Sequence, residues 1–282
     1  MITDRETNFV YLSELLIDKC PQTYRQLKHW FDKLDIKYGT LPNTKDLWVV
    51  DFMPVQVRED YYVQYKYDPD YLKPAVHTLT KTDPHLVCEG IGISPSKVTI
   101  VLDGGNIVKC KNKVIVTTKV FKENAGYPEA NLINEIKNQL NVEQVIVIPQ
   151  EPKDHVGHSD GMVRFIDENT VLINKYPENN TYKEYGMGLR WSLKNAGLEY
   201  SEFPYNSWKN KNGKDATGCY INFLELGKYI FFPTFGEQED YIARIRLQDL
   251  FEDRELIEID CRDLAPLGGV LNCITWNIKS KC

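Results

Sequence analysis

The sequence has no Cys-x-x-Cys pair, although it carries seven cysteines, Cys20, Cys88, Cys110, Cys219, Cys261, Cys273 and Cys282. An odd set without that spacing builds neither a disulfide framework nor a zinc ribbon, and it reads as reduced thiols. No apolar run approaches the length needed to cross a bilayer. The opening segment MITDRETNFVYLSELLIDK is charged on both sides of a short apolar stretch. It lacks the apolar core and cleavage site of a signal peptide, so a cytoplasmic protein with no membrane partner is expected. Basic excess is missing too: 34 Lys and Arg stand against 40 Asp and Glu, for a net charge of −6. A nucleic-acid partner is not expected, because phosphate binding needs a basic face. Mild acidity suits a small cationic ligand instead. No low-complexity tract divides the chain. The polar loop KNKNGKD at 209–215 is too short for a linker, so residues 1–282 are read as one domain.

What is present is a rhythm. Segments starting at Asp51 (DFMPVQVREDYYVQYKY), Asp103 (DGGNIVKCKNKVIVTTKVF) and Gly161 (GMVRFIDENTVLINKY) read as paired short strands around a polar turn. CYINFLELGKYIFFPTF from Cys219 and GGVLNCITWNIK near the C-terminus read the same way. EANLINEIKNQLN is helical, with Leu132, Ile133, Ile136 and Leu140 on one stripe. KEYGMGLRWSLKNAG is helical with Gly197 as its stop, and QEDYIARIRLQDLF is an amphipathic helix. Each helix precedes a short extended run: VEQVIVIP, YSEFPY and LIEID. FVYLSELL, PQTYRQLKHWFDKL and DIKYGTL add a further strand, helix and strand. The fold class is therefore α/β, built on a hairpin–helix–strand unit. The units begin near residues 51, 103, 158, 219 and 269. That period of roughly 50 to 60 residues is the scale of a propeller blade or array unit.

Polar residues recur where the units begin: Asp51, Asp103, His158 with Asp160, Asn222, and Cys273. Turns favour Asp and Asn, which explains any one of them. If the units pack around a pseudo-fivefold axis, equivalent positions converge and the set lines one pocket. The stretch HVGHSD, residues 155–160, also has the donors of a metal site. In an extended segment, however, His155 and His158 point to opposite faces, whereas His158 and Asp160 share one. No second His or Cys cluster lies near, so no metal is expected.

The motifs DLWVVDFMPVQV (46–57), VLDGGN (101–106), GHSDGMVRF (157–165), CYINFLELGKYIFFPTFG (219–236) and LGGVLNCITWNIK (267–279) occur in one order. In that order and spacing the chain resembles the agmatine deiminase and Porphyromonas-type peptidylarginine deiminase family of guanidino-modifying enzymes, the penteins. The resemblance runs from about residue 40 to the end. It implies a closed five-bladed α/β propeller with pseudo-fivefold repeats and the active site on its axis. It implies hydrolysis of a small guanidino compound, agmatine foremost, with no cofactor. Arginine or peptidylarginine deimination and amidino transfer are the alternatives within that chemistry, and a non-catalytic binding propeller the alternative outside it. Cys273 would be the nucleophile and His158 the general acid and then base. Asp51 and Asp160 would hold the guanidinium, and Trp48 and Asn222 would line the pocket. Asp103 is open between a turn residue and a direct role, and Arg164 between a substrate-carboxylate ligand and a structural ion pair. Relatives are often dimers, so a homodimer is the expectation by analogy. The chain departs from its relatives at Val50, where they have Arg, and at Val270-Leu271-Asn272, where agmatine deiminases have Asn-Ile-His. It also lacks part of their N-terminal region.

Overall fold

The structure is a computed structural model that describes residues 1–74, 78–178, 180–210 and 214–281. The polar loop read at 209–215 lies partly outside these residues, at 211–213, as does Cys282. Among the described residues the strands form five three-stranded sheets of one design. In each, a central strand pairs antiparallel with one neighbour. It then leads through a helix to a second neighbour that it pairs with in parallel.

The second sheet shows the plan: Val55–Arg58, Tyr61–Lys66, helix Pro84–Gly90, then Ser96–Val101. The third runs Val108–Lys109, Lys113–Thr117, helix Glu129–Leu140, Gln144–Ile148. The fourth runs Val163–Phe165, Thr170–Asn174, helix Asn180–Asn195, Glu199–Phe203. The fifth runs Leu224–Leu226, Tyr229–Thr234, helix Gln238–Leu250, Glu255–Asp260. The first sheet joins the two ends of the chain. Its central strand Phe9–Ser13 leads through helix Pro21–Lys33 to Lys37–Leu41, and its antiparallel partner is Thr275–Ile278.

That arrangement corrects one reading of the sequence. GGVLNCITWNIK is not a hairpin. Only Thr275–Ile278 is extended, and residues 271–274 form a turn in which Thr275 donates to the Asn272 carbonyl. The missing half of this hairpin is the N-terminal strand, more than 260 residues away, so local pattern cannot reveal the pair. The helix Pro84–Gly90 and the strand Ser96–Val101 escaped the reading as well. The helix has seven residues and only Val87 and Cys88 buried, too few for a helical period to show.

Other local rules hold. Leu132, Ile136 and Leu140 are the buried stripe of their helix, with Ile133 at its margin. Helix Asn180–Asn195 stops at Gly197, whose φ of +75° suits glycine, and the Leu198 amide closes back onto the Leu193 carbonyl at 3.0 Å. The helices pack against the sheets, and the largest apolar cluster gathers Leu12, Phe31, Phe231 and Ile257 from the first and fifth. Among the described residues no helix is long and apolar enough to cross a membrane, and six cysteines are free of disulfides.

Leu12 is fully buried on the strand that ties the two chain ends together. Leu12→Ala is expected to cost about 2–5 kcal/mol of unfolding free energy, the range for deleting a buried leucine side chain. Urea denaturation followed by circular dichroism measures it, and a loss under about 1 kcal/mol would mean that the first sheet is not packed as described.

Candidate active site

Each polar residue at a unit start sits in a turn just ahead of the first strand of its hairpin. Asp51 lies in the helical turn Val49–Phe52, with Trp48 at its head. Asp103 precedes the single turn Gly104–Asn106, and His158 precedes the turn Ser159–Gly161 that holds Asp160. Asn222 stands two residues before Leu224–Leu226, and Cys273 two residues before Thr275–Ile278. His158 and Asp160 therefore come together through a tight turn and not as alternate residues of an extended strand, which corrects the expected geometry. His155 is exposed in the preceding loop, while His158 is buried.

The turns meet. His158 Nε2 lies 2.9 Å from Asp103 Oδ2, and His158 Nδ1 lies 3.3 Å from Asp51 Oδ1. The second contact lacks hydrogen-bond alignment and leaves that Asp51 oxygen buried without a partner. Both ring nitrogens thus face carboxylates, which leaves neither free for a metal. Asp103 is not serving its own turn, since its side chain makes no cap bond. Its Oδ2 instead also accepts from Tyr71 at 3.2 Å and from Lys119 at 3.4 Å.

On the other side of the site Cys273 Sγ lies 3.7 Å from Asp160 Oδ2 and 3.3 Å from Asn222 Oδ1. The same Asn222 oxygen accepts the Cys273 backbone amide at 3.3 Å, and Asn222 Nδ2 donates to the Asp160 carbonyl. Asn222 therefore holds the turn that carries the thiol. Asn272 Nδ2 donates to Asp160 Oδ2 at 2.7 Å. Arg164, read as either a carboxylate ligand or a structural pair, is buried and makes the pair: its guanidinium meets Asp4 at 3.0 Å and Asn272 at 2.9 Å.

Two glycines make the approach possible. A Cβ on Gly105 would lie 2.5 Å from both Asp51 Oδ1 and His158 Nδ1. A Cβ on Gly269 would lie 2.7 Å from the Trp48 ring and 3.1 Å from Cys273 Sγ, so Trp48, the Gly269 backbone and the thiol are packed against one another.

Charge follows from burial. Burial works to raise the Asp103 pKa, but His158, Lys119 and Tyr71 outweigh it and hold that carboxyl below its usual range. Burial disfavours the His158 imidazolium, yet Asp51 and Asp103 overcome this and raise its pKa to about 9. Burial lifts Asp51 to about 7 against the pull of His158, and it lifts Asp160 too. Burial first, then Asp160 and Asp51, push the Cys273 thiol well up. The resting site holds an imidazolium tied to Asp103, a protonated thiol, and an Asp51 oxygen left without a donor.

Lys119, Tyr71 and Asn272 were not among the expected site residues. Lys119 had one signal: a lysine two residues after the buried strand Lys113–Thr117. It is almost wholly buried beside Asp103, Glu123 and Asp70. Tyr71 comes from a loop with no such signal. A cavity of about 900 Å³ also opens on the hairpin-turn side and reaches Val50, Gly104, Asp160, Arg164 and Asn272. It touches the backs of these turns; Cys273, His158 and Asp51 are not among its described lining residues.

A family model of Porphyromonas-type peptidyl-arginine deiminases matches residues 14–278. The chain belongs to this peptidyl-arginine deiminase family. A Shewanella sp. (strain MR-4) relative named "Putative agmatine deiminase" is 35% identical over 220 residues, 67% of this chain and 59% of that protein. The chain spans about three fifths of the length of the curated relatives it matches. Among solved structures, the "Putative Arginine Deiminase" of Porphyromonas gingivalis superposes with a TM-score of 0.79 at 20% identity, covering 98% of this chain and 97% of that one. A cysteine-to-serine variant of C. jejuni agmatine deiminase with substrate bound superposes with a TM-score of 0.76 at 17% identity, covering 98% and 95%. The family member described here thus shares the α/β fold of these deiminases.

The ion pair at the centre makes a spectroscopic prediction. The His158 imidazole should titrate near pH 9 and not near its ordinary value. Asp103→Asn removes a facing anion and should bring that titration down; NMR of ring-labelled histidine reads both. An unshifted titration after Asp103→Asn would deny the pairing.

Proposed function

We propose that this family member hydrolyses a small guanidino compound, agmatine in the first instance, to a ureido product and ammonia. One observation carries the reading: Asp51 and Asp103 lie 3.3 and 2.9 Å from His158, His158 shares a turn with Asp160, and the Asp160 carboxyl lies 3.7 Å from the Cys273 sulfur. On this reading the five sheets close into a single propeller domain spanning residues 1–282, with the site on its axis.

A guanidinium resists attack because its charge is delocalised over a plane of N–H donors. Asp51 and Asp160 would accept those donors, fixing the plane against Cys273 by charge-assisted bonds. Trp48 would cover the bound group. The cation also offsets the two carboxylates that raise the thiol pKa, so on binding the thiol gives up its proton to solvent and leaves the thiolate that attacks. Cys273 Sγ adds to the central carbon. His158 gives its proton to a departing nitrogen, ammonia leaves, and a covalent thiouronium remains. The neutral imidazole then takes a proton from water as water adds to the same carbon, and the carbon–sulfur bond breaks to release the ureido product. Asp103, backed by Lys119, keeps the ring oriented through both steps. Thiolate, imidazole and water supply all the chemistry required.

Agmatine is favoured over free arginine by what Arg164 does. With its guanidinium committed to Asp4 and Asn272, it is not available for a substrate carboxylate, and agmatine has none.

Ammonia release from agmatine, arginine, peptidylarginine and methylated arginines tests the reading, with agmatine expected to react best. Cys273→Ala should lower turnover by about 10⁴-fold or more, as loss of a nucleophile does elsewhere. Activity that survives this change would sink the mechanism. For pH, His158 must carry a proton in the first step, and it does so below about 9. kcat/KM should therefore fall as pH rises through about 9; a profile still climbing at pH 10 would contradict this role.

A further inference from the structure

We propose that Arg164 and Asn272 are positioning residues, a relay that aims the Asp160 carboxylate at a planar cation beside Cys273. The inference rests on the guanidine reading above and assigns roles in it to two residues with no place in the chemistry.

The logic lies in donors and acceptors. A guanidinium only donates. Arg164 Nη1 therefore selects the oxygen of the Asn272 amide, at 2.9 Å. The other end of that amide, its NH₂, is left facing Asp160 Oδ2 at 2.7 Å. The two ends of an amide have nearly one shape, so sterics alone do not choose between them. Were the amide reversed, its oxygen would oppose a carboxylate oxygen. Arginine and carboxylate select the same orientation, which ties the two together.

Arg164 is itself fixed on more than one side. It lies on the strand Val163–Phe165, and its Nη2 donates to Asp4 at 3.0 Å. Lys109 and Asn277 hold the same Asp4, at 3.0 and 3.2 Å. The guanidinium also stands over the Phe223 ring, 4.9 Å from its centre. The cavity of about 900 Å³ reaches the turn that carries Asp160, with Arg164 and Asn272. The oxygen that accepts from Asn272 is also the one 3.7 Å from Cys273 Sγ. A rotated Asp160 would thus lose its aim at the place where a cation must sit. The hydrogen bond from Asn272 also favours the ionised carboxyl, against burial that raises its pKa.

Alkylation of the Cys273 thiol tests this without depending on turnover. 2-Chloroacetamidine is a planar cation that must be held by the carboxylates, and the thiolate displaces its chloride. Iodoacetamide is neutral and needs no such hold. The ratio of the two rates in the full chain reads the cation site, followed by mass spectrometry, with Cys273→Ala as blank. Asn272→Ala and Arg164→Met should each lower the ratio by about 10- to 100-fold, the worth of one hydrogen bond to a charged group. The double variant should lose little more than either single one, because the two act in series. Asn272→His keeps an N–H donor and should keep most of the preference, a rescue that a merely structural role would not show. Circular dichroism reports folding; should Arg164→Met unfold, Asn272→Ala and Asn272→His decide. A preference retained by folded Asn272→Ala, or losses that multiply in the double variant, overturns the relay alone. A wild-type chain without preference for the amidine overturns the guanidine reading and the relay with it.

Discussion

The contact on which the site depends is the buried imidazole of His158 set between Asp51 and Asp103. An ionised group taken out of water is costly unless its charge is met by a partner at hydrogen-bond distance. Here no member of the group is tolerable alone. Asp103 needs His158, Tyr71 and Lys119; Lys119 in turn is met by Glu123 and Asp70. These residues come from four separate stretches of chain. Satisfying the charges fixes the turns that carry them, and the backbone has to yield at Gly105, where any side chain would intrude on Asp51 and His158.

Repetition of one unit supplies the turns, and divergence supplies the chemistry. The residue ahead of each hairpin occupies a comparable place, yet the five places hold Asp51, Asp103, His158 with Asp160, Asn222, and Cys273. They sort into two sides: Asp51 and Asp103 face His158, and Asn222 and Asp160 face Cys273. His158 and Asp160 share one tight turn, so a single element joins the two sides.

Much of this was legible in the sequence, for identifiable reasons. Four of the five hairpins lie within continuous segments, so alternation and turn residues reveal them. Cys273, His158, Asp160 and Asp51 stand in short motifs whose order carries the resemblance to deiminases. What was not legible depended on distant partners. The fifth hairpin is made by Phe9–Ser13 and Thr275–Ile278, from opposite ends of the chain. Lys119 looks like an ordinary helix-start lysine until the fold buries it against Asp103. Arg164 was open between two roles because a sequence does not say whether a guanidinium has an acidic partner; Asp4, 160 residues earlier, is that partner. His158 and Asp160 were read as neighbours along a strand, whereas a turn brings them together.

On the proposed reading, the resting protonation state is itself part of selectivity. Burial and two carboxyls keep the Cys273 thiol protonated and weakly nucleophilic while the site is without a cation. A neutral molecule of similar shape cannot change that, because it brings no charge to offset Asp51 and Asp160. A guanidinium does, so the nucleophile is made by the group it is to attack. The same carboxyls that orient the substrate thus suppress the thiol in its absence, and one arrangement of charge answers both for recognition and for restraint. This also explains why the aim of Asp160 matters more than its presence: a carboxylate turned away would still repel the thiolate at short range but would no longer hold the cation that compensates for it.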